Sequence, residues 1–496
     1  MTRAHALSAL LADDAARPQG AGDPQITSVT LDSRTVGPGA LFAGLRGEKV
    51  DGATFVPKAV ASGAAAVLVG QDASLVWPDG APPDDVPIIR SKDPRRLLAR
   101  IAARFHGGQP ATTVAVTGTS GKSSVAEFTR QLFAASGYEA ASLGTIGLVR
   151  GSGVTYGGLT TPDPVSLQAQ LANLADDGVT HLAFEASSHG LEQRRLDGVR
   201  LTAAGFTNLG RDHLDFHPTV EDYFTAKLRL FQVLLPSSGT VVVNVDCEGD
   251  YAARVVEAAQ ARGQTVVTAG RSGREIRIVQ LKREGFDQRL TLEVDGRTHT
   301  LLLPLPGDYQ VANAVVALGL AIAGGVSVDD ALAGLTMLTG VPGRMDIVAR
   351  VNGALAVVDY AHKPEALAAV LTSLRPYATN RLICVFGCGG DRDAGKRPLM
   401  GEISARLADI TIVTDDNPRT EDPAAIRAAV MAAAPGALEI GDRAKAINHA
   451  AGDLRPGDVL VVAGKGHETG QLVGKAVLPF SDHDVLRLAV AGLPGI

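Results

Sequence analysis

The feature that most constrains the fold is a repeated alternation of continuous apolar runs with helical patterns. Four such runs follow one another in the middle of the chain, at 112–118, 181–187, 203–210 and 240–246. Strands that are buried on both faces are uninterrupted apolar stretches, and helices between them cover both sides of a parallel sheet. The sequence therefore predicts an α/β fold with a mostly parallel central sheet.

A second series of apolar runs occupies the last third of the chain, at 354–360, 381–388, 409–416 and 458–466. Each run ends in polar residues or glycine, which is where a doubly wound sheet places its ligands. We therefore expect a second α/β domain with a candidate site of its own.

Length and linkers suggest how the chain is divided. A chain of 496 residues is expected to form about three domains. Short strand-like pieces at 26–34, 40–45 and 64–70 indicate a smaller N-terminal α/β domain, and the pieces between 275 and 303 indicate a small antiparallel appendage. The linker-like segments HGGQP and GVPG give the predicted domains, which are 1–108, 109–342 and 343–496.

Composition excludes several classes of protein. The formal net charge is −6 and no lysine-arginine cluster is interleaved with aromatic residues, so we expect no nucleic-acid partner. No run of 18 apolar residues and no signal peptide is found, so we expect no membrane insertion. Cys384 and Cys388 lie in an apolar strand, which favours buried free thiols and a reducing compartment, the cytoplasm.

The stretch VAVTGTSGKSS, 114–124, resembles a phosphate-binding loop that leads from a strand into a helix. Backbone N–H groups and a helix N-terminus would face an anion, while Lys122 adds a charge and Ser123 a hydroxyl for magnesium. The first glycine of the usual G-x-x-x-x-G-K-[ST] pattern would fall at Val116, so this loop is shorter than usual. Taken alone, the stretch could also be a turn that binds nothing.

Polar residues at the ends of the next two strands extend this candidate site. Glu185 ends an apolar run, where a carboxylate can hold magnesium together with a loop hydroxyl, although it could also face solvent. The following run ends in a dense group, Asp212, His213, Asp215 and His217. Its spacing lacks the His-x₃-His turn of zinc helices, and the adjacent phosphate loop favours a hard cation. An isolated His213 would more often be structural.

Lys227 lies inside an apolar helical pattern, 223–231. A lysine in such a place ordinarily extends its ammonium to solvent along the apolar surface. The residue gains another interpretation only from the motifs around it.

Taken in order, these motifs resemble the Mur ligase family of peptidoglycan synthesis. The resemblance covers essentially the whole chain and rests on GTSGKSS, EASSHG, NLGRDHLD, the helix with Lys227, GDYQVANAVVAL, GVPGRMD and VDYAHKPE. It implies three domains: one for a UDP-sugar substrate, a central P-loop ATPase, and a C-terminal Rossmann-like domain for the incoming amino acid.

The resemblance also implies ATP and Mg²⁺ as cofactors. Lys122 would hold the β and γ phosphates, and Ser123 with Glu185 would surround one magnesium ion. Lys227 would carry a carbamate and, with His213, hold a second magnesium ion. The implied nucleotide-binding residues are Gly118, Thr119, Ser120, Gly121, Lys122, Ser123, Ser124, Asn313, Arg344, Asp359 and His362.

Two positions depart from the family pattern. Ser123 and Ser124 replace the more usual pair of threonines, which keeps both hydroxyls. Lys363 stands where many relatives have threonine, and no effect is predicted from it.

The segment LDSR, 31–34, resembles the part of the third-residue-adding enzymes that contacts the uridine nucleotide, although an isolated LDSR would be a simple turn. Arg195 is suited to a carboxylate or a diphosphate, because its guanidinium binds two oxygens at once. The residues implied for the UDP-linked substrate are Leu31, Ser33, Thr160, Thr161, Ser187, Gln193 and Arg195.

The motif TDDNPRTEDP, 414–423, indicates which amino acid is added. It resembles the DNPR motif of meso-diaminopimelate-adding ligases, and the alternative is a solvated acidic loop with an incidental arginine. Diaminopimelate differs from lysine by a distal carboxylate, which the Arg419 guanidinium could pair with, so selectivity against lysine could be large. Glu468 would suit the distal ammonium. The implied amino-acid-binding residues are Arg392, Asp416, Asn417, Pro418, Arg419, Gly464 and Glu468.

From this resemblance we expect an ATP-dependent amide ligase that acts through an acyl phosphate. It would add meso-diaminopimelate to the D-glutamate side-chain carboxylate of UDP-MurNAc-L-Ala-D-Glu, and we expect it to be a monomer. The alternatives are a lysine-adding ligase, a folylpolyglutamate synthetase-like ligase, and a P-loop NTPase without ligase activity. LDSR argues against the folylpolyglutamate type and Arg419 against the lysine-adding type.

Overall fold

The computed structural model describes most of the chain, which divides into two compact units. The described residues are 4–12, 14, 18–19, 22–47, 50–78, 84–155, 160–210, 212–213 and 216–491. Asp215, which the sequence groups with His213, lies outside them. The first unit comprises Met1–Ile276 with Val316–Ala331, and the second comprises Arg277–Val315 with Leu332–Ile496.

The N-terminal part of the first unit is a small α/β layer. Its elements are β1 (His5–Ala6), α1 (Leu7–Leu11), β2 (Pro18–Gln19), β3 (Gln25–Ile26), β4 (Ser28–Thr30), β5 (Ala40–Gly44), α2 (Val56–Ala61), β6 (Ala64–Gly70), β7 (Ile88–Ser91) and α3 (Pro94–His106). The sheet order is β2-β7-β6-β5-β4, parallel except for the β2 edge. Leu41, Leu68 and Leu98 lie in its core. The predicted smaller N-terminal α/β region is confirmed.

The rest of the first unit is built on a larger sheet. Its elements are β8 (Thr112–Thr117), α4 (Lys122–Ala135), β9 (Ala140–Gly144), β10 (Gly147–Arg150), β11 (Gly153–Thr155), α5 (Pro164–Asp176), β12 (His181–Glu185), α6 (Ser188–Glu192), β13 (Ala203–Phe206), α7 (Val220–Arg229), β14 (Thr240–Asn244), α8 (Tyr251–Ala261) and β15 (Thr265–Gly270). The order is β11-β10-β9-β12-β8-β13-β14-β15.

Six strands of this sheet, from β9 to β15 in that order, are parallel to one another. The edge strands β10 and β11 are antiparallel. The predicted mostly parallel sheet is therefore confirmed. Because parallel strands end at one edge, the residues after β8, β12 and β13 come together there.

The next elements include the predicted antiparallel appendage. They are β16 (Ile276–Glu284), β17 (Asp287–Val294), β18 (Arg297–Leu303), α9 (Asp308–Ala323) and α10 (Val328–Leu335). β17 and β18 pair in antiparallel register from Gln288 opposite Leu303 to Val294 opposite Arg297. The appendage is confirmed.

The C-terminal part of the second unit is a doubly wound α/β fold. Its elements are β19 (Asp346–Val351), β20 (Ala354–Asp359), α11 (Pro364–Leu374), β21 (Leu382–Phe386), α12 (Lys396–Leu407), β22 (Ile410–Val413), α13 (Pro423–Met431), β23 (Leu438–Glu439), α14 (Arg443–Gly452), β24 (Val459–Ala463), β25 (Gly470–Val473), β26 (Ala476–Pro479) and α15 (Asp482–Val490). The sheet order is β19-β20-β24-β21-β22-β23, parallel except for β19.

Two apolar cores cover the two faces of this C-terminal sheet. One contains residues of α11, α12 and α13, and the other contains residues of α14 and α15. This arrangement confirms the predicted Rossmann-like domain. Cys384 and Cys388 are buried free thiols, as expected, and burial raises the pKa of Cys384 to about 12. In the described part of the chain, no helix is long and apolar enough to cross a membrane.

Candidate active site

The phosphate loop joins β8 to α4 in a conformation that requires glycine. Gly118 has φ 153° and Gly121, at the start of the helix, has φ 86°. A Cβ atom at Gly118 would lie 1.9 Å from Thr207 Oγ1, so no other residue fits there. The loop thus brings backbone N–H groups and the α4 N-terminus to the carboxyl edge of the sheet, which is the geometry of an anion site.

Two lysines converge on the carbonyl oxygen of Gly118. Lys122 Nζ donates to Gly118 O at 3.0 Å and to Thr119 O at 2.8 Å, and Lys227 Nζ donates to Gly118 O at 2.7 Å. Lys227 is 1% exposed and lies 4.2 Å from the centre of the Tyr223 ring. Burial, reinforced by the nearby Lys122 ammonium, lowers the pKa of Lys227 well below its ordinary value. Lys227 does not extend to solvent, so the family-based interpretation gains support.

Glu185 is held beside the phosphate loop by three donors. Its Oε1 accepts hydrogen bonds from Ser123 Oγ and Thr145 N, both at 2.8 Å, and its Oε2 accepts one from Thr145 Oγ1 at 3.2 Å. A Cβ atom on Gly144 would lie 2.1 Å from Oε1, so the glycine makes room for the carboxylate. Hydroxyl and carboxylate oxygens are ligands that a hard cation prefers, and Ser123 with Glu185 therefore fit Mg²⁺.

His213 lies at the same edge in the left-handed conformation, with φ 54°. Its side chain is 42% exposed and its Nε2 is 3.4 Å from Asp212 Oδ2. The rings of His189 and Tyr223 are its aromatic neighbours. His189 also contacts His217, and burial, followed by His189, lowers the pKa of His217. Within the described residues no three His, Cys, Asp or Glu side chains form a metal-binding group.

Five of the residues expected to bind the UDP-linked substrate form a second cluster behind Glu185. Thr161 Oγ1 donates to Glu185 O at 3.0 Å and accepts from Ser187 Oγ at 3.0 Å. Arg195 Nη1 donates to Thr161 O at 2.5 Å and its Nη2 to Gln193 Oε1 at 2.8 Å. Burial lowers the pKa of the Arg195 guanidinium. The structure thus brings Thr161, Ser187, Gln193 and Arg195 together, and Thr160 joins them to the Glu185 side through a 3.0 Å contact with Thr145.

The LDSR segment is a turn after β4. Arg34 donates to the Asp32 carboxylate, which holds the pKa of Asp32 at about 2. Leu31 packs partly against the N-terminal core and Ser33 is half-buried. The segment forms a turn, and its contact with a nucleotide stays a prediction.

Three residues of this edge were missed by the motif analysis. Asn208 clamps the phosphate loop, since its Oδ1 accepts from Ser120 N at 3.0 Å and its Nδ2 donates to Ser120 O at 3.2 Å. Thr145 orients Glu185, and Tyr223 covers Lys227. Asn208 could have been found, because it directly follows a strand in NLGRDHLD. Thr145 follows β9, and no sequence pattern indicated the antiparallel strand β10 that pairs with it.

In the second unit, the family positions near the GVPG segment form a buried polar cluster. Asp359 accepts hydrogen bonds from Met345 N at 2.7 Å and Ala361 N at 2.8 Å, and burial raises its pKa. The Arg344 guanidinium stacks 4.6 Å from the centre of the Tyr360 ring. His362 Nδ1 is 2.9 Å from Tyr360 O, and burial lowers its pKa.

Asn313 lies apart from that cluster in sequence, on α9. Its Nδ2 donates to Gln310 Oε1 at 3.0 Å, and its side chain is buried. Its expected role in nucleotide binding stays a prediction.

The DNPR loop follows β22 and is attached to neighbouring segments by hydrogen bonds. Arg419 N donates to Leu472 O at 3.0 Å and Gly474 N donates to Arg419 O at 2.7 Å, which attaches the loop to the β25–β26 hairpin. The Arg419 guanidinium donates to Gly390 O at 2.8 Å through Nη1. Arg419 is therefore held by hydrogen bonds at both its backbone and its guanidinium, and its role in amino-acid binding stays a prediction.

A buried charged cluster lies behind the DNPR loop. Lys465 Nζ donates to Asn417 Oδ1 at 2.9 Å and to Glu468 Oε2 at 3.1 Å, and it lies 3.6 Å from Asp416 Oδ1. Asn417 Nδ2 donates to Glu468 Oε2 at 3.0 Å. The structure thus brings together Asp416, Asn417 and Glu468, and it adds Lys465, which sequence reasoning missed.

The remaining predicted amino-acid ligands surround this cluster unequally. A Cβ atom on Gly464, which has φ 118°, would lie 3.6 Å from Asp416 Oδ2. Pro418 is buried beside Arg419. Arg392 is solvent-exposed on the loop after β21, two residues after Gly390, whose carbonyl accepts from Arg419. The structure therefore places Arg392 near the loop but not in the buried cluster.

Comparison with known proteins identifies the family. Residues 25–106, 116–321 and 343–466 match the models of the Mur ligase family catalytic domain, the Mur ligase middle domain and the Mur ligase glutamate ligase domain. A relative from Bradyrhizobium diazoefficiens, a UDP-N-acetylmuramoyl-L-alanyl-D-glutamate–2,6-diaminopimelate ligase, is 55% identical over 97% of this chain and 98% of its own length.

Solved structures agree with that result. A structure of a ligase with the same name is 33% identical, with a TM-score of 0.73 over 98% of this chain and 99% of the other. The MurF ligase from Thermotoga maritima in complex with ADP is 20% identical, with a TM-score of 0.58 over 89% and 94% of the two chains, and shares the fold. The chain therefore belongs to the Mur ligase family.

Proposed function

We propose that this chain is the ATP-dependent amide ligase that joins meso-diaminopimelate to UDP-MurNAc-L-Ala-D-Glu. The bond forms at the side-chain carboxylate of the D-glutamate residue, and the product is a peptidoglycan precursor. The relatives named for this activity are more than half identical over almost the whole chain, which supports the proposal.

The observation that carries the choice of amino acid is that Arg419, held through Gly390 O, lies on the same loop as Asn417, which donates to Glu468. A guanidinium and an amide N–H₂ are donors suited to the distal carboxylate of diaminopimelate, and Glu468 is an acceptor suited to its distal ammonium. Lysine has no distal carboxylate, so it would leave Arg419 unmatched. Leaving a site's polar group unpaired is costly, which supports discrimination by this site.

The phosphate loop and Lys122 are the proposed ATP phosphate site. The loop's N–H groups, the α4 N-terminus and the Lys122 ammonium supply positive potential at one point. The ADP complex of a fold relative supports the binding of an adenine nucleotide by this fold. We propose Gly118 to Ser124 as the phosphate cradle, with Asn313, Arg344, Asp359 and His362 as the other nucleotide-binding residues.

Ser123, Glu185, His213 and Lys227 are the proposed metal-holding residues. Bound Mg²⁺ would neutralise the charge that builds up on the phosphate oxygens during transfer. Thr145 fixes both oxygens of Glu185, so this carboxylate is already oriented before substrates bind.

Carbamylation of Lys227 is part of the same proposal. An amine reacts with carbon dioxide only in its neutral form, and burial favours that form in Lys227. The product is an anion in place of a buried cation, which suits a metal ligand beside His213. The short contact with Gly118 O holds the nitrogen at the loop.

The proposed reaction has two chemical steps. An oxygen of the D-glutamate carboxylate attacks the γ phosphorus, the bond to ADP breaks, and an acyl phosphate forms. The neutral amine of diaminopimelate then attacks the acyl carbon, phosphate leaves, and the nitrogen loses its extra proton. The protein orients the reactants and balances charge, with Arg195, Thr161, Ser187 and Gln193 holding the dipeptide end of the UDP-linked substrate.

The remaining predictions belong to this proposal as well. We propose Leu31, Ser33 and Thr160 as further contacts of the UDP-linked substrate, and domains at 1–108, 109–342 and 343–496. The enzyme would act as a monomer in the cytoplasm, where the buried free thiols Cys384 and Cys388 would stay reduced.

Phosphate release tests the proposal. With ATP and Mg²⁺ present, we expect release only when both UDP-MurNAc-dipeptide and meso-diaminopimelate are added, and little release when L-lysine replaces diaminopimelate. Release without the dipeptide would indicate an NTPase without ligase activity. Equal rates with the two amino acids would contradict the role given to Arg419.

A further inference from the structure

Lys465 is a fully buried cation with no role in the family motifs discussed above. It follows β24 in the segment GKGHE, and its side chain is 0% exposed. A buried ammonium is strongly unfavourable unless it is paired and hydrogen-bonded. Lys465 meets this condition through three neighbours on two loops, Asn417, Glu468 and Asp416.

The first effect of Lys465 is on the Asn417 amide. Asn417 Oδ1 accepts from Lys465 Nζ at 2.9 Å and from Leu472 N at 2.9 Å. A flipped amide would place its N–H₂ group against two donors, so the observed orientation is the one that satisfies every group. As a result, Asn417 Nδ2 lies on the Glu468 side, 3.0 Å from Oε2.

The second effect is on the Glu468 carboxylate. Lys465 Nζ and Asn417 Nδ2 both donate to Oε2, at 3.1 and 3.0 Å. The carboxylate is thereby fixed through one oxygen, while the side chain remains 34% exposed. Oε1 is the oxygen that a ligand ammonium would bind.

The third effect is on charge. Asp416 and Glu468 carry two negative charges and Lys465 one positive charge, so the three together carry a net charge of −1. The buried Arg443 also interacts electrostatically with Asp416 and Glu468, but it is paired with Asp482 at 2.7 Å, so adding this pair leaves the net charge at −1. Without Lys465, two carboxylates would repel the carboxylate of an incoming amino acid.

We propose that Lys465 is a positioning residue that presents Asn417 as a donor and Glu468 as an acceptor to the distal amino-acid end of the incoming diamino acid. The proposal rests on the proposed function, since it gives that function's amino-acid site its orientation and charge. Lys465 acts through Asn417 and Glu468 and does not itself contact the ligand.

The test compares Lys465→Met with Lys445→Met, a matched control on the exposed surface of α14, where the lysine side chain is 80% exposed. Steady-state kinetics would measure KM for meso-diaminopimelate, L-lysine, ATP and UDP-MurNAc-dipeptide. For Lys465→Met we expect KM for diaminopimelate to rise by about tenfold or more, since a charged hydrogen-bond network is lost. We expect the preference over lysine to fall and the KM values of the other two substrates to stay within about twofold.

A second variant covers the case in which Lys465→Met does not fold, judged by its thermal unfolding. Lys465→Gln keeps a donor for Asn417 but removes the charge, and we expect an intermediate rise in KM for diaminopimelate. A folded variant with an unchanged KM for diaminopimelate would overturn the proposal. Equal changes in the KM values for diaminopimelate, ATP and UDP-MurNAc-dipeptide, or failure of both variants to fold, would show that Lys465 has a purely structural role.

These outcomes are distinct from failure of the proposed function. If the unmodified protein shows no diaminopimelate-dependent phosphate release, the proposed function is wrong and the inference falls with it. If the unmodified protein is active and Lys465→Met matches it, only the inference is wrong.

Discussion

Two buried lysines in this chain have opposite surroundings, and the difference indicates opposite roles. Lys465 is enclosed with the carboxylates of Asp416 and Glu468, whereas the acceptor found for Lys227 among the described residues is a carbonyl oxygen, that of Gly118. Carboxylates stabilise an ammonium. Asp212 also attracts the Lys227 ammonium, but burial and the Lys122 cation outweigh this attraction.

The comparison teaches that burial alone does not assign a role to a lysine. Burial lowers the pKa of Lys227 well below its ordinary value, which favours the neutral amine that the proposed carbamylation needs. Lys465 instead donates hydrogen bonds to Asn417 and Glu468, and its proposed role is to position them.

The substitution Lys227→Ala tests most directly whether Lys227 has the reactive role proposed for it. We expect the rate of phosphate release to fall by roughly 100- to 1000-fold, since one preorganised charged group at the reacting phosphate is lost. A small carboxylic acid such as formate should restore part of the activity by standing in for the carbamate. Lys445→Ala, at an exposed position, should leave the rate unchanged.

A spectroscopic measurement accompanies this variant. With ¹³C-labelled bicarbonate, the unmodified protein should show a carbamate carbon resonance by NMR that Lys227→Ala lacks. Full activity of the variant, or the same resonance in both proteins, would remove Lys227 from the mechanism.

Arg419→Leu tests the other side of the comparison. We expect kcat/KM for meso-diaminopimelate to fall by about 100-fold, because a charged hydrogen bond to the distal carboxylate is lost. The value for L-lysine should change much less, since lysine has no such carboxylate. Arg487→Leu, at an exposed position on α15, is the matched control. Equal losses for both amino acids would show that Arg419 does not choose between them.

Asn208→Ala tests whether the phosphate loop needs its clamp. The variant loses the two hydrogen bonds to Ser120, so we expect KM for ATP to rise by about tenfold while the KM for diaminopimelate is retained. Asn448→Ala removes a hydrogen bond on the exposed surface of α14 and serves as the control. An unchanged KM for ATP would show that the loop is held without Asn208.

Thr145→Val should have the smallest effect. The substitution preserves shape and the backbone bond to Glu185 but removes the hydroxyl bond to Oε2. We expect the affinity for nucleotide in the presence of Mg²⁺ to fall about fivefold, which corresponds to a loss of about 1 kcal/mol of binding free energy. Thr145→Ser should restore the affinity. A Mg²⁺ titration that does not distinguish Val from Ser would exclude orientation of Glu185 by this hydroxyl.

The same two regions show what could be predicted from sequence. The phosphate loop lies within one contiguous stretch, and its strand, glycines and helix start are all local signals, so Lys122, Ser123 and the strand-end Glu185 could be named in advance. The parallel sheets were predictable for the same reason, since buried strands have continuous apolar runs.

Lys465 could not be named in this way. Its partners Asp416 and Asn417 are about fifty residues away on another loop, and only the order β21-β22 beside β24 brings these loops to one edge. Whether a lysine is buried and what it is paired with depend on tertiary contacts, which no local pattern records. Thr145 was missed for the same reason, because its contact with Glu185 spans two strands.

The identity of the added amino acid is the most direct test of the proposed function. The protein would be incubated with UDP-MurNAc-L-Ala-D-Glu, ATP, Mg²⁺ and equal concentrations of meso-diaminopimelate and L-lysine, and the products would be separated by mass. We expect nearly all of the product to carry diaminopimelate, with one phosphate released for each amide bond formed. Product carrying mainly lysine, or phosphate released without any amide product, would contradict the proposed function.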